Sequence, residues 1–205
     1  MDKALSRSTR PTPLLSAASG RRLNLIDDIG KVIEQSADVP TTLNQIVDLV
    51  ADRLDMEVCS IYSYAPDTNR LTLLATHGLD PASVGQVSMG VDEGLTGMVI
   101  EKGEPVTAID APAHPRYKYF PETGEEHFHS FLGVPIMDKG VPLGVLVVQT
   151  SRRRRFVRDE VRLLRSAAVP TGGLLVQRAL LQTLESKEEE RLGYEQQMLE
   201  VEKRG

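Results

Sequence analysis

The side chains best suited to bind a small molecule lie between residues 110 and 130, where polar, acidic and aromatic residues are mixed without a regular period. A binding pocket needs a few polar groups set among apolar walls. This part of the chain could supply the polar groups Asp110, Tyr117, Tyr119, Glu126, His129 and Ser130, and the walls Phe120, Phe128 and Phe131. We predict that it covers a pocket. The alternative is a well-packed lid that binds nothing.

A seventh candidate, Thr96, stands at the start of a predicted helix. Asp92 and Glu93 precede the apolar residues of Leu95–Ile100, an order typical of a helix N-terminus. The Thr96 hydroxyl or a backbone N–H beside it could bind an anionic group. We therefore add Thr96 to the predicted ligand-binding residues.

The histidines and the single cysteine give little support for a metal or a cofactor. His127 and His129 would share a face of an extended chain, but no third ligand of clear spacing follows them. Alternation in a strand places Cys59 on the same face as Ile61, which indicates a buried structural thiol. We predict no metal site and no cofactor.

The elements that must position these residues follow from the spacing of apolar side chains. The clearest is a hairpin, in which Asp138–Gly140 separates the apolar runs Phe131–Met137 and Val141–Val148. Helical spacing and turn residues predict four helices and three further strands. These are helices over Leu23–Ser36, from Thr41 to Leu54, over Leu95–Lys102 and from Arg158 onward, and strands at Val58–Tyr64, Leu71–Thr76 and Gln86–Met89.

The last helix has an uneven composition. Pro170 lies inside it, which predicts a kink because proline removes a backbone donor. Beyond Arg178 the sequence becomes strongly charged, and its apolar residues are too sparse for a strong heptad. Two interpretations stay open: a solvated helix that frays at its end, or a signalling helix that pairs with its mate in a dimer.

Composition sets the remaining limits. The 205-residue chain has a net charge of −5, which gives no reason to expect a nucleic-acid partner. Its longest apolar run, around Val145–Val148, is too short to span a membrane, and no signal peptide is visible, so we expect a cytoplasmic protein. The basic run Arg152–Arg155 lacks interleaved aromatic residues and is expected to be a solvated loop or a contact with a partner subunit.

Several motifs together resemble the GAF domain family. The hairpin segments Phe131–Ile136 and Leu143–Gln149 are similar to the C-terminal half of such a domain. Five further segments narrow the resemblance to the sensor domains of nitrogen-related phosphoenolpyruvate–protein phosphotransferases. They are Glu57–Tyr62, Ala75–Leu79, Asp92–Val99, Asp110–Pro115 and Tyr117–Tyr119.

The resemblance implies an α+β fold: a central antiparallel sheet with the N- and C-terminal helices on one face and a loop-covered pocket on the other. It divides the chain into a flexible basic segment (1–22), the GAF domain (23–180) and a charged signalling helix (181–205). It also implies a homodimer that regulates downstream phosphotransferase domains in response to nitrogen status.

The same resemblance makes glutamine or 2-oxoglutarate the candidate ligand. We expect no catalysis by this chain, because it lacks the phosphorylated-histidine domain and the phosphoenolpyruvate-binding barrel of such enzymes. The alternatives are a GAF sensor of a histidine kinase or of a cyclic-nucleotide signalling enzyme, and a dimerisation module without a ligand.

Overall fold

The computed structural model describes the backbone of residues 17–202 and the side chains of residues 24–199. Six antiparallel strands form one sheet in the order β3-β2-β1-β6-β5-β4. The helices and strands are α1 (Ala17–Gln35), α2 (Val39–Leu54), β1 (Val58–Ala65), β2 (Arg70–His77), β3 (Ser88–Gly90), α3 (Gly94–Lys102), β4 (Val106–Ala108), β5 (Ser130–Asp138), β6 (Val141–Thr150) and α4 (Arg158–Glu202).

The sheet is buried on both faces, and alternation decides which side chain goes where. Cys59 and Ile61 of β1 pack with α1, α2 and α4 in one apolar cluster. Tyr62, the next residue, belongs to a second cluster with α3 and the loops. The predicted α+β arrangement, with N- and C-terminal helices on one face and loops on the other, is therefore confirmed.

Two element boundaries have clear local causes. The hairpin turn consists of Lys139 and Gly140, both with positive φ, between the paired residues Asp138 and Val141. Two such residues match the twist of the flanking strands. Helix α2 begins after Asp38, whose carboxylate accepts the backbone N–H of Thr41 at 2.8 Å, a cap that stabilises a helix by about 1 kcal/mol.

The structure differs from the predicted elements in several bounds: α2 begins at Val39 rather than at Thr41, and β3 lies at Ser88–Gly90 rather than at Gln86–Met89. Helix α1 starts at Ala17 rather than at the predicted Leu23; residues 1–16 lie outside the described part of the chain, and the flexibility of the segment 1–22 stays a prediction. Alanine is the best helix former, and Ala17 and Ala18 open this helix. Strand β4 was not predicted, because three residues after Pro105 carry no period. Helix α4 continues through Pro170, and its kink stays a prediction.

The end of α4 leaves the body of the domain. Leu174 and Leu175 are its last buried residues, and every residue of 179–199 is exposed. Among the helices described here, none is long and apolar enough to cross a membrane.

The acidic motif before α3 depends on two glycines. Gly94 has a φ of +66°, which favours glycine. A Cβ added to Gly97 would overlap the backbone carbonyl oxygen of Val91, so α3 can pack this close only without a side chain there.

We predict that Gly97→Ala lowers the free energy of unfolding by about 1–3 kcal/mol, because backbone atoms must move to admit the methyl group. Gly30→Ala is the matched control: a Cβ at this position in α1 meets nothing within 4 Å, and alanine should stabilise the helix by up to about 1 kcal/mol. Urea unfolding measures both. Equal stability of Gly97→Ala and the wild type would contradict this packing.

Candidate functional site

A small cavity lies on the face of the sheet opposite α1, α2 and α4. Residues 109–129, which join β4 to β5 and which we call the lid, cover it. Its volume is about 30 Å³, room for roughly two water molecules. The sheet, the start of α3 and the lid line it with Tyr62, Met89, Phe131, Val147 and Gln149, with Gly94, Leu95 and Thr96, and with Ala111, Tyr117, Lys118, Phe120 and Glu125.

The lid is built from short turns rather than regular elements. Three 3-10 helices, Ala111–Ala113, Pro121–Thr123 and Glu125–His127, follow one another within it. Thr123 is buried, and its hydroxyl donates to the carbonyl of Phe120 at 2.7 Å, which fixes one of these turns. Short turns give a lid that can be displaced without melting a long helix.

Glu125 is the most unusual group at the cavity. Its carboxylate accepts the backbone N–H of Phe120 at 3.3 Å, and within the described residues no basic side chain forms an ion pair with it. Burial raises the pKa of Glu125 to about 7, and hydrogen bonds from Phe120 and the Gln149 side chain lower it only in part. A half-buried carboxyl without a cation would be stabilised by a cationic ligand.

Lys118 fastens the lid to the start of α3. Its Nζ lies 2.5 Å from Oε1 of Glu93 and 5.2 Å from the centre of the Phe120 ring. Glu93 also accepts the backbone N–H of Gly90 at 2.8 Å, and these hydrogen bonds, that from Lys118 first, lower its pKa. The cation at the rim is therefore already paired.

Hydroxyl groups supply the other polar contacts. Thr96 is buried at the first turn of α3, where backbone N–H groups favour an anion. Burial raises the pKa of Tyr117 to about 12 and also raises that of Tyr62, so both phenols stay protonated and can donate. Cys59 lies on the opposite face of the sheet, and burial raises its pKa.

Of the seven residues predicted to bind a ligand, the structure brings two, Thr96 and Tyr117, to the cavity. Tyr119 and Glu126 are exposed and bond to each other on the outer surface of the lid. Their orientation follows from the 3-10 helix at Glu125–His127, which turns Glu125 inward and Glu126 outward.

Asp110, His129 and Ser130 meet away from the cavity. The Asp110 carboxylate pairs with Nδ1 of His129 at 2.9 Å and with Nε of Arg153 at 2.7 Å. The buried Ser130 hydroxyl accepts the backbone N–H of Arg154 at 2.8 Å and donates to the carbonyl of Arg152. These three residues join the ends of the lid to the segment before α4.

Sequence reasoning missed four polar groups of the cavity: Tyr62, Lys118, Glu125 and Gln149. Two could have been found. Strand alternation places Tyr62 opposite Cys59, and Gln149 follows Val147 on one face of β6, where a polar residue ends an apolar run. No pattern distinguishes Glu125 from Glu126, because a three-residue turn decides between them.

His127 and His129 do not share one face, because the chain is not extended at His127. His127 ends a 3-10 helix, is exposed and lies 3.7 Å from Oε1 of Glu126, whereas His129 bonds to Asp110. Within residues 24–199, no three histidine, cysteine or acidic side chains are grouped as a metal site requires.

The sequence model of the GAF domain matches residues 36–175, more than half of the chain. This chain belongs to the GAF domain family. The GAF domain of a phosphoenolpyruvate-protein phosphotransferase from Coxiella burnetii has a similar structure, with a TM-score of 0.72, 31% identity, and coverage of 83% of this chain and 99% of that one.

Curated relatives of this GAF domain are much longer proteins. A phosphoenolpyruvate-dependent phosphotransferase system protein of Escherichia coli K12 is 33% identical over 159 residues, which cover 76% of this chain and 21% of that protein. A Nif-specific regulatory protein of Azospirillum brasilense is 29% identical over 143 residues, covering 67% of this chain and 22% of that protein. The chain thus spans about a fifth of the curated relatives it matches. GAF domains of this kind are regulatory.

Glu125 predicts a pH-dependent term in stability. Its pKa rises from 4.5 to about 7 on folding, so the wild type loses stability as pH increases between these values. Glu125→Gln cannot titrate. We expect the variant to have the same free energy of unfolding as the wild type near pH 4 and a larger one at pH 8. Each pKa unit between the folded and unfolded states corresponds to about 1.4 kcal/mol.

Denaturant unfolding at several pH values measures this difference. Glu122→Gln, an exposed change in the same lid, is the control and should leave the profile of the wild type unaltered. A constant difference between Glu125→Gln and the wild type from pH 4 to 8 would contradict the assigned environment of Glu125.

Proposed function

We propose that this GAF domain senses a small cytoplasmic metabolite and controls a phosphoenolpyruvate-dependent protein phosphotransferase in nitrogen-related signalling. The observation that carries the proposal is the lidded cavity with an unpaired carboxyl in a chain similar to such proteins. The similar Nif-specific regulatory proteins support the link to nitrogen. Phosphotransfer itself belongs to downstream domains, and this chain catalyses nothing.

The polar groups around the cavity favour an α-amino acid, with glutamine as the first candidate. Glu125 would receive the ammonium group, and the first turn of α3 with Thr96 would receive the carboxylate. The Gln149 carboxamide and the two tyrosine hydroxyls could pair with a side-chain amide. The candidate 2-oxoglutarate fits less well, because it offers no cation to Glu125.

One observation supports a second candidate, a dimerisation module without a ligand. A cavity of about 30 Å³ is far below the roughly 300–1,000 Å³ of small-molecule pockets, so any amino acid must displace the lid. The lid is fastened at its ends by Asp110 and near its middle by Arg116 and Lys118, which pair with Glu101 and Glu93, so its displacement must break some of these contacts.

We also propose that the chain is a homodimer held by the exposed end of α4. Five leucines, one tyrosine and one methionine are exposed there on an otherwise charged helix. A polar helix without a packed face gains little stability on its own, so a second copy is the simplest partner for these side chains. They are Leu180, Leu181, Leu184, Leu192, Tyr194, Met198 and Leu199.

Isothermal titration calorimetry tests the sensor proposal. We expect glutamine to bind and Glu125→Gln to weaken binding by about tenfold or more, because the ammonium group loses its charged partner. Glu122→Gln is the control and should bind as the wild type does. Absence of binding by any amino acid at millimolar concentration would favour the module without a ligand, and preference for 2-oxoglutarate would overturn the assignment of Glu125.

Sedimentation velocity tests the dimer. We expect the wild type to sediment as a dimer at micromolar concentration and the triple change Leu181→Gln, Leu184→Gln and Leu192→Gln to weaken self-association by about tenfold or more. Val141→Gln removes an equally exposed apolar side chain from the hairpin and should leave the dimer intact. A monomeric wild type at 100-fold higher concentration is the contrary result.

A further inference from the structure

Three of the five predicted site residues that lie away from the cavity meet two arginines at one place. We call Asp110, His129, Ser130, Arg153 and Arg154 the junction. It lies where the lid begins and ends and where the segment after β6 turns toward α4. Nothing in ligand binding at the cavity requires this arrangement, so its role must be sought elsewhere.

On the lid side, the junction holds both ends of the lid together. The Asp110 carboxylate bonds to His129 at 2.9 Å, and the backbone N–H of Ala111 donates to the carbonyl of His129 at 2.6 Å. The hydrogen bond from His129, and after it the one from Arg153, lowers the pKa of Asp110. A displacement of the lid therefore changes the position of a charged group that both ends share.

On the helix side, the junction continues without a gap into α4. Arg154 donates its backbone N–H to Ser130, and its guanidinium donates to Glu160 at 2.9 and 3.0 Å while lying 4.6 Å from the Phe156 ring centre. Glu160, in the first turn of α4, also accepts the backbone N–H of Val157 at 2.8 Å. The start of α4 is thus fixed by the same set of bonds.

We infer that Asp110 is a positioning residue that couples the lid to the start of α4, because its carboxylate bonds at once to the end of the lid and to Arg153. Displacement of the lid would pull on Arg153 and loosen Arg154 from Ser130 and Glu160. The inference deepens the proposed sensor function and rests on it for the identity of the signal. The coupling itself can be measured without any ligand.

Amide hydrogen exchange of the full chain, followed by NMR, provides the test. Phe120→Ala disturbs the lid from the cavity side, and the reporters are the amides of Arg154 and Val157. In the wild-type background, we expect Phe120→Ala to accelerate the exchange of these amides by about tenfold. In the Arg153→Gln background, where the bond to Asp110 is absent, we expect the same change to accelerate it by less than about twofold. The amide of Ser151, which bonds to Glu57 outside the junction, should not respond.

Arg153 is exposed, so its replacement should not disturb the core. Arg152→Gln is the matched control: in this background Phe120→Ala should still accelerate amide exchange at Arg154 and Val157 by about tenfold. If Phe120→Ala also accelerates amide exchange at Ser151, its effect is not confined to the junction, and Lys118→Gln is used in its place. Lys118 is exposed, so this change removes the ion pair with Glu93 without creating a cavity in the core. The coupling would be overturned if Phe120→Ala accelerated exchange at Arg154 and Val157 equally in the wild-type, Arg152→Gln and Arg153→Gln backgrounds, or if it had no effect in the wild-type background. Failure of glutamine to bind would instead remove the sensor proposal and leave this result standing.

Discussion

The fold depends on one constraint: the two central strands, β1 and β6, are covered on both faces. The pairing of β1 with β6 aligns Ile61 with Leu146, which both pack in the helix-covered layer. It also aligns Tyr62 with Val145, which both pack in the layer under the lid. A shift of one residue would exchange the two layers entirely. The helices can pack on one side, and the lid on the other, only because this register is fixed.

The layers on the two faces of the sheet are built from different kinds of element. Long helices cover one face with aliphatic side chains, whereas short turns and one short helix cover the other. On that second face the core admits a carboxyl, a carboxamide and several hydroxyls. Buried polar groups reduce stability unless they are paired. Glu125 accepts hydrogen bonds from Phe120 and Gln149, but within the described residues it has no cationic partner.

Sequence alone could predict most of the fold and little of the site. The hairpin, the cap at Asp38 and the alternation at Cys59 are local patterns, and local chemistry decides them. The site depends on which way a turn points its side chains. Glu125 and Glu126 are neighbours of one type, yet one lines the cavity and the other bonds to Tyr119 outside.

Asp110 and His129 illustrate the same limit over a longer range. Both have the chemistry of ligand-binding residues, and the sequence shows that they flank one irregular segment. The second partner of Asp110, Arg153, comes from a run expected to be solvated, and only the folded chain brings its Nε to within 2.7 Å of the Asp110 carboxylate. Arg154 of the same run is also engaged, with Glu160.

We propose that the lid opens over the cavity to admit an amino acid. An NMR titration of the uniformly ¹⁵N-labelled chain with glutamine measures this most directly. We predict that the chemical-shift changes concentrate in the lid, at residues 94–97 of α3 and around Gln149, and extend to residues 152–160. Changes confined to α1 and α2, or none at all, would contradict it.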